Sequence, residues 1–354
     1  KNRSLLVNLT IGAAAVALGL VVYQQKKKAD ARKVSVSAAL LQQQDSKTSQ
    51  AVLEALKHSA DFRKLSKSEM EDTISRDQLD DEKLAAGIKL AVDRGVLTAN
   101  PGNGAYKPID VYGKSVEQVT DEIIGELKGA EKTGCVVVLV GLSGTGKGTT
   151  MARLAKMLPN ATTWSNGNVF RSLTLLAATW CEKAGLDGFD EAKALTAANL
   201  KNFMTMLTFD FYSPPLSSTP KFDIRIQSKD LGIDSMVSDI QNTTLKGPKV
   251  GKNIPLVANK TQGEVVNFVN IATGKMSAKG MNVLIEGREA TVDHIATPHR
   301  FALTLSDPII IGQRRASQRI MAAALKALGD SAAAATPLEV NAALVSELEK
   351  IAAE

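Results

Sequence analysis

Aromatic residues make up only 4% of this 354-residue chain, and it has just two cysteines and three histidines. So few aromatics beside abundant alanine favour a helix-rich protein over a β-sandwich. Cys135 and Cys181 lie far apart and follow no metal-ligand spacing, which excludes a disulfide framework or a cysteine-rich zinc site; both read as reduced and buried. His58, His294 and His299 show no ligand spacing either. Basic charge is also missing from most of the chain. The formal net charge is +6, but residues 1–33 hold seven Lys/Arg against one acid, Asp30, which is the entire excess. The basic balance therefore belongs to an N-terminal tail and not to a nucleic-acid-binding face, so no nucleic acid is expected as a partner. With 44% hydrophobic and 23% charged residues the composition is that of an ordinary globular protein, long enough for about two domains.

The first feature present is an uncharged run, Leu5–Tyr23, with only Asn8 and Thr10 clearly polar. As a helix its 19 residues would span about 28 Å, close to the hydrocarbon thickness of a bilayer. Residues 1–33 are thus expected to be a single transmembrane anchor with a basic flank, the lipid bilayer being one partner. Lys26, Lys27, Lys28, Arg32 and Lys33 follow the span and place the bulk of the chain on the positive-inside face. The expected location is an organellar membrane (plastid or mitochondrial inner membrane, facing stroma or matrix) or a bacterial inner membrane. A lone membrane helix with a polar linker is rarely ordered by itself, so a larger membrane protein assembly is expected around it.

Residues 34–50 are Gln/Ser-rich and read as a linker. From Ala51, apolar residues recur at helical spacing through Val92. The run from Gly95 to Pro108, with its Pro101-Gly-Asn-Gly104 turn, then reads as a hairpin. Three helices and a hairpin over 51–112 describe a small winged-helix-like module. The segments Ile88–Leu97 and Gly102–Lys107 resemble the linker-histone globular domain, a likeness that implies DNA binding. Residues 48–109 carry nine bases and ten acids, however, with Asp80, Asp81, Glu82 and Asp93 crowding the key helix. Phosphate contacts need bases, so a protein-contact or structural role is expected instead.

The strongest motif follows. Cys135–Val140 is a short continuous apolar run, as in a buried parallel strand. Gly141-Leu-Ser143-Gly144-Thr145-Gly146-Lys147-Gly148-Thr149-Thr150 comes next, and then Met151, Leu154 and Leu158 recur at helical spacing. This G-x-x-x-x-G-K-x-T pattern between a strand and a helix is a phosphate-binding loop. Its glycines let backbone N–H groups converge on an anion, the helix start adds its positive end, and Lys147 bridges the β- and γ-phosphates. ATP is the expected cofactor with Mg²⁺, held by the hydroxyl of Thr149 or Thr150, Thr149 being favoured by the Gly-Lys-Gly-Thr spacing.

Gly-Lys-Gly-Thr, with three later stretches, is similar to bacterial-type cytidylate kinases over roughly residues 134–325. Ser165-Asn-Gly167-Asn-Val-Phe-Arg171 resembles the family segment whose arginine holds the acceptor phosphate. Asn282–Glu286-Gly287-Arg288-Glu289 resembles the strand ending in Asp-Gly-Arg-Asp, and Gln313-Arg314-Arg315 to Arg319 resembles the basic start of the lid. The resemblance implies an α/β P-loop kinase domain over 113–330, a parallel sheet flanked by helices, followed by an Ala-rich helical tail, 331–354. It also implies that Gly167, Arg171, Arg288 and Glu289 bind a CMP- or UMP-class monophosphate. Glu286 would join Thr149 at the metal, and Arg314, Arg315 and Arg319 would lie over the donor phosphates. Lys147, Arg288 and Arg315 would then stabilise the transferring phosphoryl group.

Two functions stay open at this level. One is a membrane-anchored phosphotransferase moving the ATP γ-phosphate to a pyrimidine nucleoside monophosphate. The other is a catalytically degenerate, kinase-like accessory or scaffold subunit. Ser165, Asn168, Phe170, Glu286 and Glu289 depart from the family pattern, and no arginine follows Arg319, which favours the second; the intact loop with Arg171 and Arg288 favours the first.

Overall fold

The computed structural model describes residues 36–353. They divide into two compact units: one is Ser75–Ser306, and the other combines the described residues up to Ile74 with those from Asp307 onward. In chain order the longer helices and the strands are Ala38–Gln43 (α1), Ser46–Leu56 (α2), Ala60–Asp93 (α3), Lys107–Asp110 (β1), Val116–Leu127 (α4), Val136–Gly141 (β2), Lys147–Met157 (α5), Ala161–Trp164 (β3), Gly167–Lys183 (α6), Ala197–Thr205 (α7), Leu207–Tyr212 (β4), Lys221–Ser228 (β5), Ile233–Met236 (β6), Ile254–Ser277 (α8), Asn282–Glu286 (β7), His299–Thr304 (β8), Ile309–Leu328 (α9) and Pro337–Ala353 (α10). Single helical turns, such as Glu289–Val292, fill several connections. The unit boundary falls inside α3, between Ile74 and Ser75.

In unit Ser75–Ser306 five strands form a sheet of order β1-β8-β2-β7-β3, with every pairing parallel. This is the α/β class that the resemblance implied, and the apolar run at 135–140 is its buried strand β2. Side chains alternate across the sheet, which explains why that run shows no polar residue. Val136, Val138 and Val140, with Val283 and Ile285, pack with Val169, Leu173 and Leu176 of α6 and Val265 and Val269 of α8. Val137 and Leu139, with Leu284, Phe301 and Leu303, pack with Val119 and Ile123 of α4 and Met151 and Leu154 of α5. A strand covered on both faces gains about 1.5–3 kcal/mol from each large apolar side chain, whichever way it points. A separate antiparallel sheet, β4-β5-β6, occupies residues 207–236.

The expected winged module does not form. Residues 60–93 are one continuous helix, and Lys107–Asp110 is not the second strand of a hairpin but the edge strand of the parallel sheet, paired with β8. The reason is long-range bonding. The Asn103 amide donates to the carbonyls of Asp293 and Ile295, and the Tyr106 hydroxyl donates to Asp293 Oδ1 at 2.7 Å. Arg300, only 1% exposed, donates to both Tyr106 Oη and Asp293, and stacks over the Tyr106 ring. Burial, with the Asp293 hydrogen bond, pushes the Tyr106 phenol far above its ordinary range, so it stays a neutral donor.

The second unit corrects the expected domain limits. The stretch 34–50 is not a linker from Val36 onward, because Ser37 and Asp45 cap α1 and α2 by accepting backbone N–H bonds. Val36 and Leu41 are then buried with Val52, Leu56, Phe62, Ile320, Leu344 and Leu348. The tail helix α10 supplies part of that core, and so does α9, the segment expected to open the lid. The expected membrane span at 5–23 lies outside the described residues; among those described, no helix is long and apolar enough to cross a membrane.

Candidate functional site

β2 ends at Gly141, beside Leu303 of β8, and the chain turns through Gly144 and Gly146 into α5. The three glycines have φ of 141°, 88° and 93°, a region that L-side chains rarely adopt. At Gly141 a Cβ would also stand 2.5 Å from the Leu303 carbonyl oxygen. Thr145 is buried and closes the turn, its hydroxyl donating to the Leu142 carbonyl at 2.8 Å. α5 starts with no side-chain cap and no acid in its first turn, so its N–H groups and positive end are left to an incoming anion. The Lys147 ammonium folds back over the loop, donating to the carbonyls of Gly141 at 2.6 Å and Leu142 at 3.1 Å. Burial, and then the Arg288 charge, push that ammonium below the ordinary lysine range, with Glu286 and Asp77 opposing. Thr149 is exposed at the loop mouth, whereas Thr150 is buried; the hydroxyl accessible to a metal is that of Thr149.

β7 lies next to β2 with Glu286 opposite Leu139, so the chain leaving β7 emerges beside the loop at the same, C-terminal edge of the sheet. That edge is where open α/β sheets bind ligands. The Glu286 carboxylate is exposed, 4.0 Å from where a Cβ on Gly148 would stand. Arg288 turns to Asp77, donating to Oδ1 at 2.7 Å, with Asp81 at 3.4 Å and Asp80 at 3.8 Å. Asp77 is 1% exposed and also receives the loop itself: Ser143 N–H donates to Oδ2 at 2.6 Å, and Ser143 Oγ donates to Oδ1 at 2.8 Å. Burial opposes the Asp77 charge, but the bonds from Arg288 and Ser143 outweigh it and hold the carboxyl below its ordinary value. Arg288 is likewise disfavoured by burial and held charged by Asp77, Asp81 and Asp80.

Asp77 reaches the loop because the second half of α3 is fixed on α8. Ala91 crosses at Gly263, where a Cβ would stand 2.0 Å from the Ala91 Cβ; at Gly87 a Cβ would meet Gln262 at 2.9 Å. Arg94 completes the contact, paired to the buried Glu264 at 2.9 Å and donating to the Lys260 carbonyl.

The other expected residues divide into two groups. Gly167 and Arg171 start α6, after β3, at the same edge of the sheet. The Arg171 guanidinium folds back over Gly167, 2.7 Å from where a Cβ there would stand, and has no hydrogen bond or ion pair among the described residues. Glu289 opens the helical turn after Arg288; partial burial, then Asp293 and Asp81, raise its carboxyl above the ordinary range. Arg314, Arg315 and Arg319, by contrast, belong to α9 in the other unit, where Ala316, Ile320, Met321 and Ala324 commit that helix to the core. Arg319 pairs with Glu69 at 3.0 Å, Arg315 Nε is buried with no hydrogen-bond partner among the described residues, and burial lowers the Arg314 pKa. Among the described residues no group of three or more His, Cys, Asp or Glu is placed to hold a metal. Both cysteines are free and buried, as expected. The residue missed from sequence is Asp77, whose acidic neighbourhood had pointed only away from DNA.

No family model, curated protein or solved structure matches the chain.

Proposed function

We propose that Gly141–Thr149 is the phosphate-binding loop of a P-loop kinase-type domain, and that the chain binds ATP there. The observation that carries this reading is the left-handed glycine loop between a buried parallel strand and a bare helix N-terminus, with Lys147 folded across it. The exposed Thr149 hydroxyl and Glu286 carboxylate suit Mg²⁺, which takes few protein ligands and completes its shell with phosphate and water. When bound, Mg²⁺ would neutralise charge between the β- and γ-phosphates. Arg171, with no hydrogen bond or ion pair among the described residues, is the group for an acceptor monophosphate, since guanidinium matches phosphate oxygens bidentately. Arg288, which follows β7 at the same edge of the sheet, would serve the transferring phosphoryl group. On this reading the reaction is transfer of the ATP γ-phosphate to a pyrimidine nucleoside monophosphate. The membrane anchor belongs to the same proposal and rests on residues 5–23 alone.

The test is a coupled assay on the full chain with ATP, Mg²⁺ and CMP or UMP. Turnover is expected, abolished by Lys147→Ala, with the acceptor KM raised about tenfold or more in Arg171→Ala. The second reading, a nucleotide-holding accessory subunit without catalysis, is favoured by one observation: Arg288 is engaged by three acids of α3. ATP binding that depends on Lys147, without turnover on either acceptor, would decide for it.

A further inference from the structure

Ser143 N–H points at an acceptor, as the N–H groups of a phosphate loop do, but the acceptor it meets is a carboxylate of the chain's own. We propose that Asp77 occupies the seat of the nucleotide's terminal phosphate, so that the described form is self-occupied and ATP binds by displacing it. The inference rests on the nucleotide reading above and deepens it.

Three features support it. The Asp77 carboxylate takes two bonds from Ser143 and one from Arg288, so one buried anion joins the loop to the arginine that follows β7. A phosphoryl group between donor loop and acceptor site needs those same donors, the backbone N–H and the guanidinium. Lys147 and Arg288 are also close enough for each charge to act on the other, and an anion between such cations relieves their repulsion. Asp77 supplies that anion, and a γ-phosphate would supply it with more charge and more acceptor oxygens. Asp81 and Asp80, at 3.4 Å and 3.8 Å from Arg288, remain for the guanidinium when Asp77 leaves.

A site filled by its own anion in nine molecules of ten binds ligand about tenfold more weakly than the open site. The experiment is calorimetric titration of the full chain with ATP and Mg²⁺, and separately with ADP, in wild type, Asp77→Asn and Lys147→Ala. The expected result is ATP affinity raised about tenfold or more by Asp77→Asn, ADP affinity changed far less, and both lost in Lys147→Ala. Asp77→Asn binding ATP no more tightly than wild type, while Lys147-dependent binding persists, would overturn this inference and leave the nucleotide reading standing. No Lys147-dependent binding in either protein would overturn both. Should Asp77→Asn fail to fold, amide exchange on wild type replaces it. ATP is expected to speed exchange in α3 around Asp77, and slower or unchanged exchange there with ATP bound counts against displacement.

Discussion

Arg288→Ala is expected to lower the stability of the nucleotide-free protein by about 3 kcal/mol, read as a shift in the urea midpoint at constant slope. The substitution leaves the Asp77 carboxylate, 1% exposed, with the Ser143 bonds and the Arg76 guanidinium at 3.9 Å. Removing one partner of a buried pair strands the other charge, which costs more than the pair itself contributes. Arg288 is 21% exposed and Ser143 still donates, so the lower end of the usual range applies. Asp77→Ala with Arg288→Ala is expected to recover part of the loss, the non-additivity that two residues in one network show. The pH sign follows from the lowered Asp77 carboxyl. Its stabilisation is fully present above the ordinary aspartate value of 3.8 and is lost only as pH falls through the depressed value. The wild-type contribution of Asp77 therefore stays constant from pH 8 to 5 and falls only in stronger acid.

Gly312→Ala is expected to cost at least as much, about 3 kcal/mol or more, in the other unit. A Cβ on Gly312 of α9 would stand 1.8 Å from the Ser66 carbonyl oxygen and 2.9 Å from the Met70 Cβ. The first obstacle is helix backbone, so α9 and α3 must separate along a core that includes Phe62, Leu65 and Ile320. Gly274→Ala, in the exposed interior of α8 with nothing within 4 Å of the added carbon, is expected to raise stability by about 0.5–1 kcal/mol instead. Thermal melts of the two variants should move in opposite directions. Equal shifts would mean that the close crossing at Gly312 is absent in solution.

These two sites also mark the limits of what the sequence discloses. The strand at 136–141, the loop and α5 were legible, because an apolar run, glycines and a helical period are local signals that tertiary packing reinforces. β7 was legible through the resemblance of Asn282–Glu286 to a family strand. The hairpin at 95–108 was misread because the groups that decide it, Asp293, Ile295 and Arg300, lie about 190 residues away. A Pro-Gly-Asn-Gly turn flanked by apolar residues gives no sign that Asn103 and Tyr106 will be claimed elsewhere. Residues 34–50 looked like a linker since their polar residues outnumber the apolar ones. Val36 and Leu41 nonetheless suffice once α9 and α10 close over them. At the site, the glycines and Lys147 were visible as a motif, and Arg171 and Arg288 through a resemblance. Asp77 was not, because nothing in the spacing of an acidic helix says which carboxylate will meet a loop 66 residues onward. The three expected lid arginines lie on a helix whose apolar residues belong to the core of the other unit.

The most direct test of the central claim is a crystal structure of the full chain with Mg²⁺ and a non-hydrolysable ATP analogue. The account predicts the triphosphate on the N–H groups between Gly141 and Thr149, Lys147 lifted from the Gly141 carbonyl onto phosphate oxygen, and Asp77 withdrawn from Ser143. A nucleotide bound away from that loop, or none at saturating concentration with Lys147 still on the Gly141 carbonyl, would contradict it.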